Sequence, residues 1–293
     1  MSNEVADVVA AYVGVYRRRL AQRPTAFDAP LQCALLGLLH LELGLRGGSL
    51  DALLGHLDRI AAATRPLLLT EGAESPAVEA AGYTWATAYG RLPLFEPPLP
   101  QIEIVISHGR SRRYAGITAN AWRALFIASA WPYLSYDLRP QAERELSSRV
   151  AYLGERAEAL RELPAPQVWQ VVGVLAELSH LVARGDLAST AASALGTGLP
   201  KLEEVPSSQL AQFAAAARAV GDHERAHAVV DYLLDARHDA STALVAADAS
   251  GGKPELSPWV PLGLVSATSE RLAQRGLADA AASSAEAVSP RPS

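Results

Sequence analysis

Five consecutive residues, His223-Glu224-Arg225-Ala226-His227, carry the most specific chemical pattern in the sequence. Histidines four apart share one face of a helix and can chelate Zn²⁺, and a glutamate beside the first can take a proton from the metal-bound water. In that arrangement His223 and His227 are ligands and Glu224 a general base, with Asp231, His238, Asp248 or Glu255 available as a third ligand. Packing explains the same residues. Ala226, Val229, Val230 and Leu233 recur at helical spacing as an apolar stripe, leaving the histidines at its edge and Glu224 in solvent. The motif also follows directly on Gly221-Asp222, which puts His223 in the frayed first turn of its helix. The packing explanation is preferred and no metal cofactor is expected; zinc is the alternative.

A second set lies on the run Leu31 to Leu45, apolar nearly all round and therefore expected to be buried. His40 and Glu42 within it need partners, because an unpaired polar group in an apolar interior costs on the order of 2–7 kcal/mol. Such residues either tie helices together or line a cavity, which makes His40 and Glu42 catalytic candidates. Cys33 on the same run would be a nucleophile only beside a base.

The third set is aromatic. Of 18 aromatic residues, ten fall between Tyr83 and Tyr136, among them Trp122, Trp131 and Tyr133. Aromatic side chains combine large apolar contact with a polar handle, which suits peptide or polycyclic ligands. Beside them lies an arginine loop, Arg110, Arg112 and Arg113 with His108 and Tyr114, just before a helix start. Guanidinium groups and free helix amides converge there and can take a phosphate or carboxylate. The ligand-binding surface is therefore expected at Arg110, Arg112, Arg113, Tyr114, Trp122, Trp131 and Tyr133, with His108 a further catalytic candidate.

These residues must be positioned by helices. Apolar residues recur at three- and four-residue spacing through most of the chain, broken at one-helix intervals by Gly, Pro, Asp or Ser. The pattern predicts an all-α chain of about twelve helices, near 4–22, 28–45, 49–64, 75–90, 113–131, 139–161, 165–184, 187–195, 206–220, 223–236, 258–275 and 277–287. Two stretches depart from it. The β-branched run Ile102-Glu103-Ile104-Val105-Ile106 allows at most one short strand near 101–107, after the proline-rich Phe95 to Pro100. Residues 237–257 are long for a connector and read as a lid, an insertion or a disordered segment. One domain is expected over 1–288, subdivided if anywhere near 92–113, with a disordered tail at 289–293.

Three breaks look alike: Ala183-Arg184-Gly185-Asp186, Ala219-Val220-Gly221-Asp222 and Gln274-Arg275-Gly276-Leu277. In each a glycine is expected to end one helix in the left-handed conformation, and an Asp, where present, to cap the next. A small residue follows five positions after two of the glycines, at Ala226 and Ala281, where two helices could cross closely. The arrangement resembles the turn and second helix of a tetratricopeptide repeat, with Thr190 taking that place after Gly185. That resemblance implies stacked hairpins, either an open solenoid or a closed α/α toroid similar in layout to several cyclases and glycan-cleaving enzymes. The H-E-x-x-H run in turn resembles the zincins, with Arg225 standing where those families carry an uncharged residue; the resemblance implies a zinc-dependent hydrolase.

Composition narrows the function classes. The chain has 293 residues, 49% of them hydrophobic, enough for a large core. Only Lys201 and Lys253 supply lysine among 26 basic residues, a bias that fits a GC-rich bacterial genome. A net charge of −5 argues against nonspecific nucleic-acid binding. Cys33, the only cysteine, excludes an intramolecular disulfide and suits a reducing cytoplasm. No apolar run reaches the ~20 residues that cross a bilayer. The expected function is binding of a peptide or a small apolar or anionic ligand, as a scaffold or a metal-independent tailoring enzyme, with a structural interaction module as a further alternative.

Overall fold

The computed structural model describes residues 3–23, 35, 38–39, 116–251 and 253–268, of which 72% are helical. They form nine α-helices: α1 (Asn3–Gln22), α2 (Ile117–Ala130), α3 (Arg139–Gly154), α4 (Ala157–Arg161), α5 (Ala165–Leu181), α6 (Gly185–Leu195), α7 (Ser207–Ala219), α8 (His223–Arg237) and α9 (Trp259–Thr268). The stretches expected as helices at 49–64, 75–90 and 277–287, the strand at 101–107 and the tail from 289 lie outside these residues.

Two expectations are corrected. The stretch 139–161 is two helices, because the chain leaves α3 after Gly154, a weak helix former, and turns through Glu155 and Arg156 before α4. Strand is not confined to 101–107 either: β1 (His238–Asp239) and β2 (Leu244–Val245) make a two-stranded antiparallel ribbon inside the presumed lid. Its turn needs no β-branched run. The Asp239 carboxylate closes it by accepting from the Ser241 amide and hydroxyl and from the Thr242 hydroxyl.

The hairpin turns follow from their residues. At the end of α7, Gly221 adopts φ +85°, the Asp222 amide donates to Ala217 O, and the Asp222 carboxylate caps α8 by accepting from the Arg225 amide. The α5–α6 turn reaches the same geometry two residues earlier than expected. Ala183, not Gly185, takes the left-handed position (φ 51°), the Arg184 amide donates to Ser179 O, and Gly185 already opens α6. Asp186 consequently lies inside the first turn of α6 rather than at its N-cap, and it forks with Arg184.

The hairpins α5/α6 and α7/α8 stack, and α2, α5, α7 and α9 pack in that order as one layer. Where α9 crosses α7, a Cβ on Gly263 would lie 2.4 Å from Ala211 O, so only glycine permits that approach. Next to α9 comes α1, which buries Val5, Val8, Val9, Tyr12 and Tyr16. The helix that is first in sequence thus stands beside the last described one. Tyr12 donates to Glu255 O and Tyr16 to Leu256 O, bonds that span the whole described chain. Burial pushes both phenols well above their ordinary pKa. Among the described residues no helix is long and apolar enough to cross a membrane.

Candidate functional site

The corner between α2 and α3 gathers what the described residues show of the aromatic segment. Pro132 cannot continue α2, so the chain makes a single 3₁₀ turn, Trp131–Tyr133, and enters α3 behind Leu134, which is buried. Arg139 fixes this turn from below: its Nε donates to Leu134 O at 3.1 Å and an Nη to Pro132 O at 3.4 Å. Trp131 is half-buried against the core, Tyr133 is half-buried, Pro132 is exposed, and Tyr136 is 84% exposed. Trp122, expected at the binding surface, is instead 4% exposed on α2 and part of the core. Its neighbours explain that: α2 is apolar on nearly every face, and Ala121, Ala124, Leu125 and Phe126 are buried with it.

Beneath the corner lies a charge cluster that sequence reasoning missed. Arg123 sits inside α2 with no exposed surface, and its Nε and Nη donate to the two carboxylate oxygens of Glu145 at 2.9 and 3.2 Å. Arg149, one turn on from Glu145, donates to the same carboxylate at 2.8 and 3.1 Å and also to the Asn120 side-chain oxygen. Asn120 in turn donates to Gly116 O at 2.9 Å, securing the start of α2. Burial alone would raise the Glu145 pKa, but the two guanidiniums outweigh it and hold the carboxyl below its ordinary range. The signal was available: Arg123 is the one ionisable residue in the apolar run Ile117 to Ala130, the argument already applied to His40 and Glu42.

The H-E-x-x-H residues occupy the start of α8. Ala226, Val229, Val230 and Leu233 are buried, while His223, Glu224 and His227 are exposed, as the stripe requires. His223 Nδ1 meets a guanidinium nitrogen of Arg218. A guanidinium only donates, so Nδ1 accepts and the neutral ring carries its proton on Nε2. Partial burial first, then the Arg218 and His227 charges, push the His223 pKa down. Arg225 is equally committed: it pairs with Asp222 at 2.6 Å, donates to Gly198 O at 2.9 Å and stacks on Phe213. The charge that looked foreign to a zinc motif therefore pins the loop after α6 to the α7/α8 hairpin. Among the described residues no three His, Cys, Asp or Glu side chains gather in a way that could hold a metal ion.

The remaining candidates, His40, Glu42, His108, Arg110, Arg112, Arg113 and Tyr114, lie outside the described residues, as does Cys33. No protein-family model matches the chain, and no curated protein or solved structure is significantly similar to it.

Proposed function

We propose that the protein is a binding scaffold that holds a peptide or a small apolar or anionic ligand at the α2–α3 aromatic corner. The observation that carries this reading is Tyr136, a large aromatic 84% exposed just past the Trp131–Tyr133 turn, whose own aromatics are half-buried and whose backbone Arg139 holds. A rigid aromatic on a braced turn binds with little ordering cost. Arg110, Arg112, Arg113 and Tyr114 precede α2 in sequence and would supply the anion-binding part of the same surface. The reading gives no role to a metal and places the chain in the cytoplasm.

A closed helical array is the architecture proposed to go with it. In a strictly sequential solenoid each unit touches only its neighbours in the chain, whereas α1 beside α9 is what closure requires.

Panning a random-peptide display library on the full chain tests the binding surface. Recovered peptides should bind the Trp131→Ala and Tyr136→Ala variants at least tenfold more weakly, with helical circular dichroism unchanged. Recovered peptides that bind both variants as well as the parent would remove the corner as the site.

A further inference from the structure

Charges on the described surface are for the most part interleaved with their opposites. Arg184 pairs with Asp186, Lys201 with Glu204 and Arg225 with Asp222. Two places depart from this mixing, each with a single sign.

The first is the C-terminal end of α1, where Arg17, Arg18, Arg19 and Arg23 are all exposed. No ion pair joins any of the four to a carboxylate among the described residues. Three consecutive positions at 100° per residue spread their side chains over roughly 200° of the helix circumference. The result is a collar around the helix end. The second is the outer face of α8, where Glu224, Asp231 and Asp235 are exposed and likewise unpaired among the described residues. Their spacing brings all three within roughly 20° of one line, a stripe about 16 Å long.

Helix dipoles account for one member of each set. Arg19 stands in the last turn of α1 and Glu224 in the first turn of α8, where those signs are favoured. The other arginines and Asp231 have no such cause, and Asp235, two residues from the helix end at Arg237, stands where a cation is favoured. No ion pair joins collar and stripe within one chain among the described residues.

We propose that the arginine collar of one copy docks on the acidic stripe of a second copy. Guanidinium forks match carboxylates bidentately, and Arg17, Arg18 and Arg19, like the stripe, stand on regular helices. The contact uses two different surfaces, so copies add head to tail, closing into a ring or continuing as a chain. Each copy carries a net charge of −5, and the resulting repulsion confines attraction to short range.

Sedimentation velocity on the full chain, from micromolar to millimolar concentration and at low and high ionic strength, tests the contact with two charge reversals. One reverses the collar (Arg17→Glu, Arg18→Glu, Arg19→Glu) and the other the stripe (Glu224→Arg, Asp231→Arg, Asp235→Arg). The parent should assemble with concentration and dissociate in high salt. Either reversal alone should weaken assembly at least tenfold, and mixing the two reversed chains should restore it, because each then meets its opposite charge on the other. Neutral sets (Arg→Ser; Asp→Asn with Glu→Gln) give the same loss without restoration on mixing and serve if a reversal fails to fold. A parent that stays monomeric throughout, assembly that survives either reversal, or folded reversed chains that do not restore each other would each overturn the proposal. Binding of an acidic or basic third protein without self-assembly would overturn it equally.

Discussion

Arg123 is tolerated inside α2 because the Glu145 carboxylate accepts from its Nε and an Nη as a fork, and Arg149 donates to the same carboxylate. Removing the acid would strand a buried cation, and breaking a buried pair from one side costs roughly 3–5 kcal/mol. Glu145→Gln should therefore lower stability by about that much in denaturant titration, against the near-neutral result expected of an exposed glutamate. Acid should reveal the same pair. Glu145 ionises more readily folded than unfolded, so its contribution is complete above the ordinary value of 4.5 and is lost as pH falls through the lowered folded value. In Glu145→Gln the stability curve should be flatter across that acid limb. Arg237 presents the opposite solution to a buried guanidinium. It has no carboxylate partner among the described residues and is held by neutral acceptors, Val205 O, Ser207 Oγ and Leu202 O, which tie the loop before α7 to the end of α8.

At the scale of elements, α9 approaches α7 closely at Gly263. Alanine normally favours a helix over glycine by about 1 kcal/mol, but at Gly263 the added Cβ would press on the backbone of Ala211. Overpacking of this kind costs roughly 1–3 kcal/mol, so Gly263→Ala should lower the unfolding midpoint where helix propensity alone would raise it. The sequence reading placed close crossings at Ala226 and Ala281, by spacing from a glycine turn. It could not see Gly263, because a crossing depends on which surface another helix brings to it. The same divide runs through the rest of the chain. Local chemistry was legible: the Gly221-Asp222 turn, the apolar stripe of α8 and the helix starts behind Pro164 and Pro206 follow from residues within one turn of each other. The left-handed Ala183 was not, since a glycine stood two residues away as the more obvious choice. Neither was the ribbon at 238–245, which rests on one aspartate and on Tyr12 from the far end of the chain. Among the clustered aromatics, which tryptophan is sealed in and which tyrosine projects depends on tertiary packing, which spacing along the chain does not carry.

Across the described residues, packing is organised about α7, which packs on α5, α8 and α9 and buries Leu210, Ala211, Phe213, Ala214, Ala216 and Ala217. Hydrogen exchange should follow that order. Amides in the middle of α7 should exchange last, close to the global unfolding rate, and those of the Asp239–Thr242 turn first. Mass-spectrometric exchange that found α7 no slower than the turn would contradict a core centred there.

The seat of α1 also sets a timetable for synthesis. Its tyrosines bond to residues as many as 243 positions later in the chain. At ~5–20 residues per second, a ribosome would make the helix and then need roughly 12–50 s to deliver its partner surface. Throughout that interval the Tyr12 and Tyr16 hydroxyls lack the carbonyl partners they have in the folded chain. The seat of α1 against α9 is thus completed only late in synthesis, while the arginines that follow those tyrosines keep the waiting helix end charged.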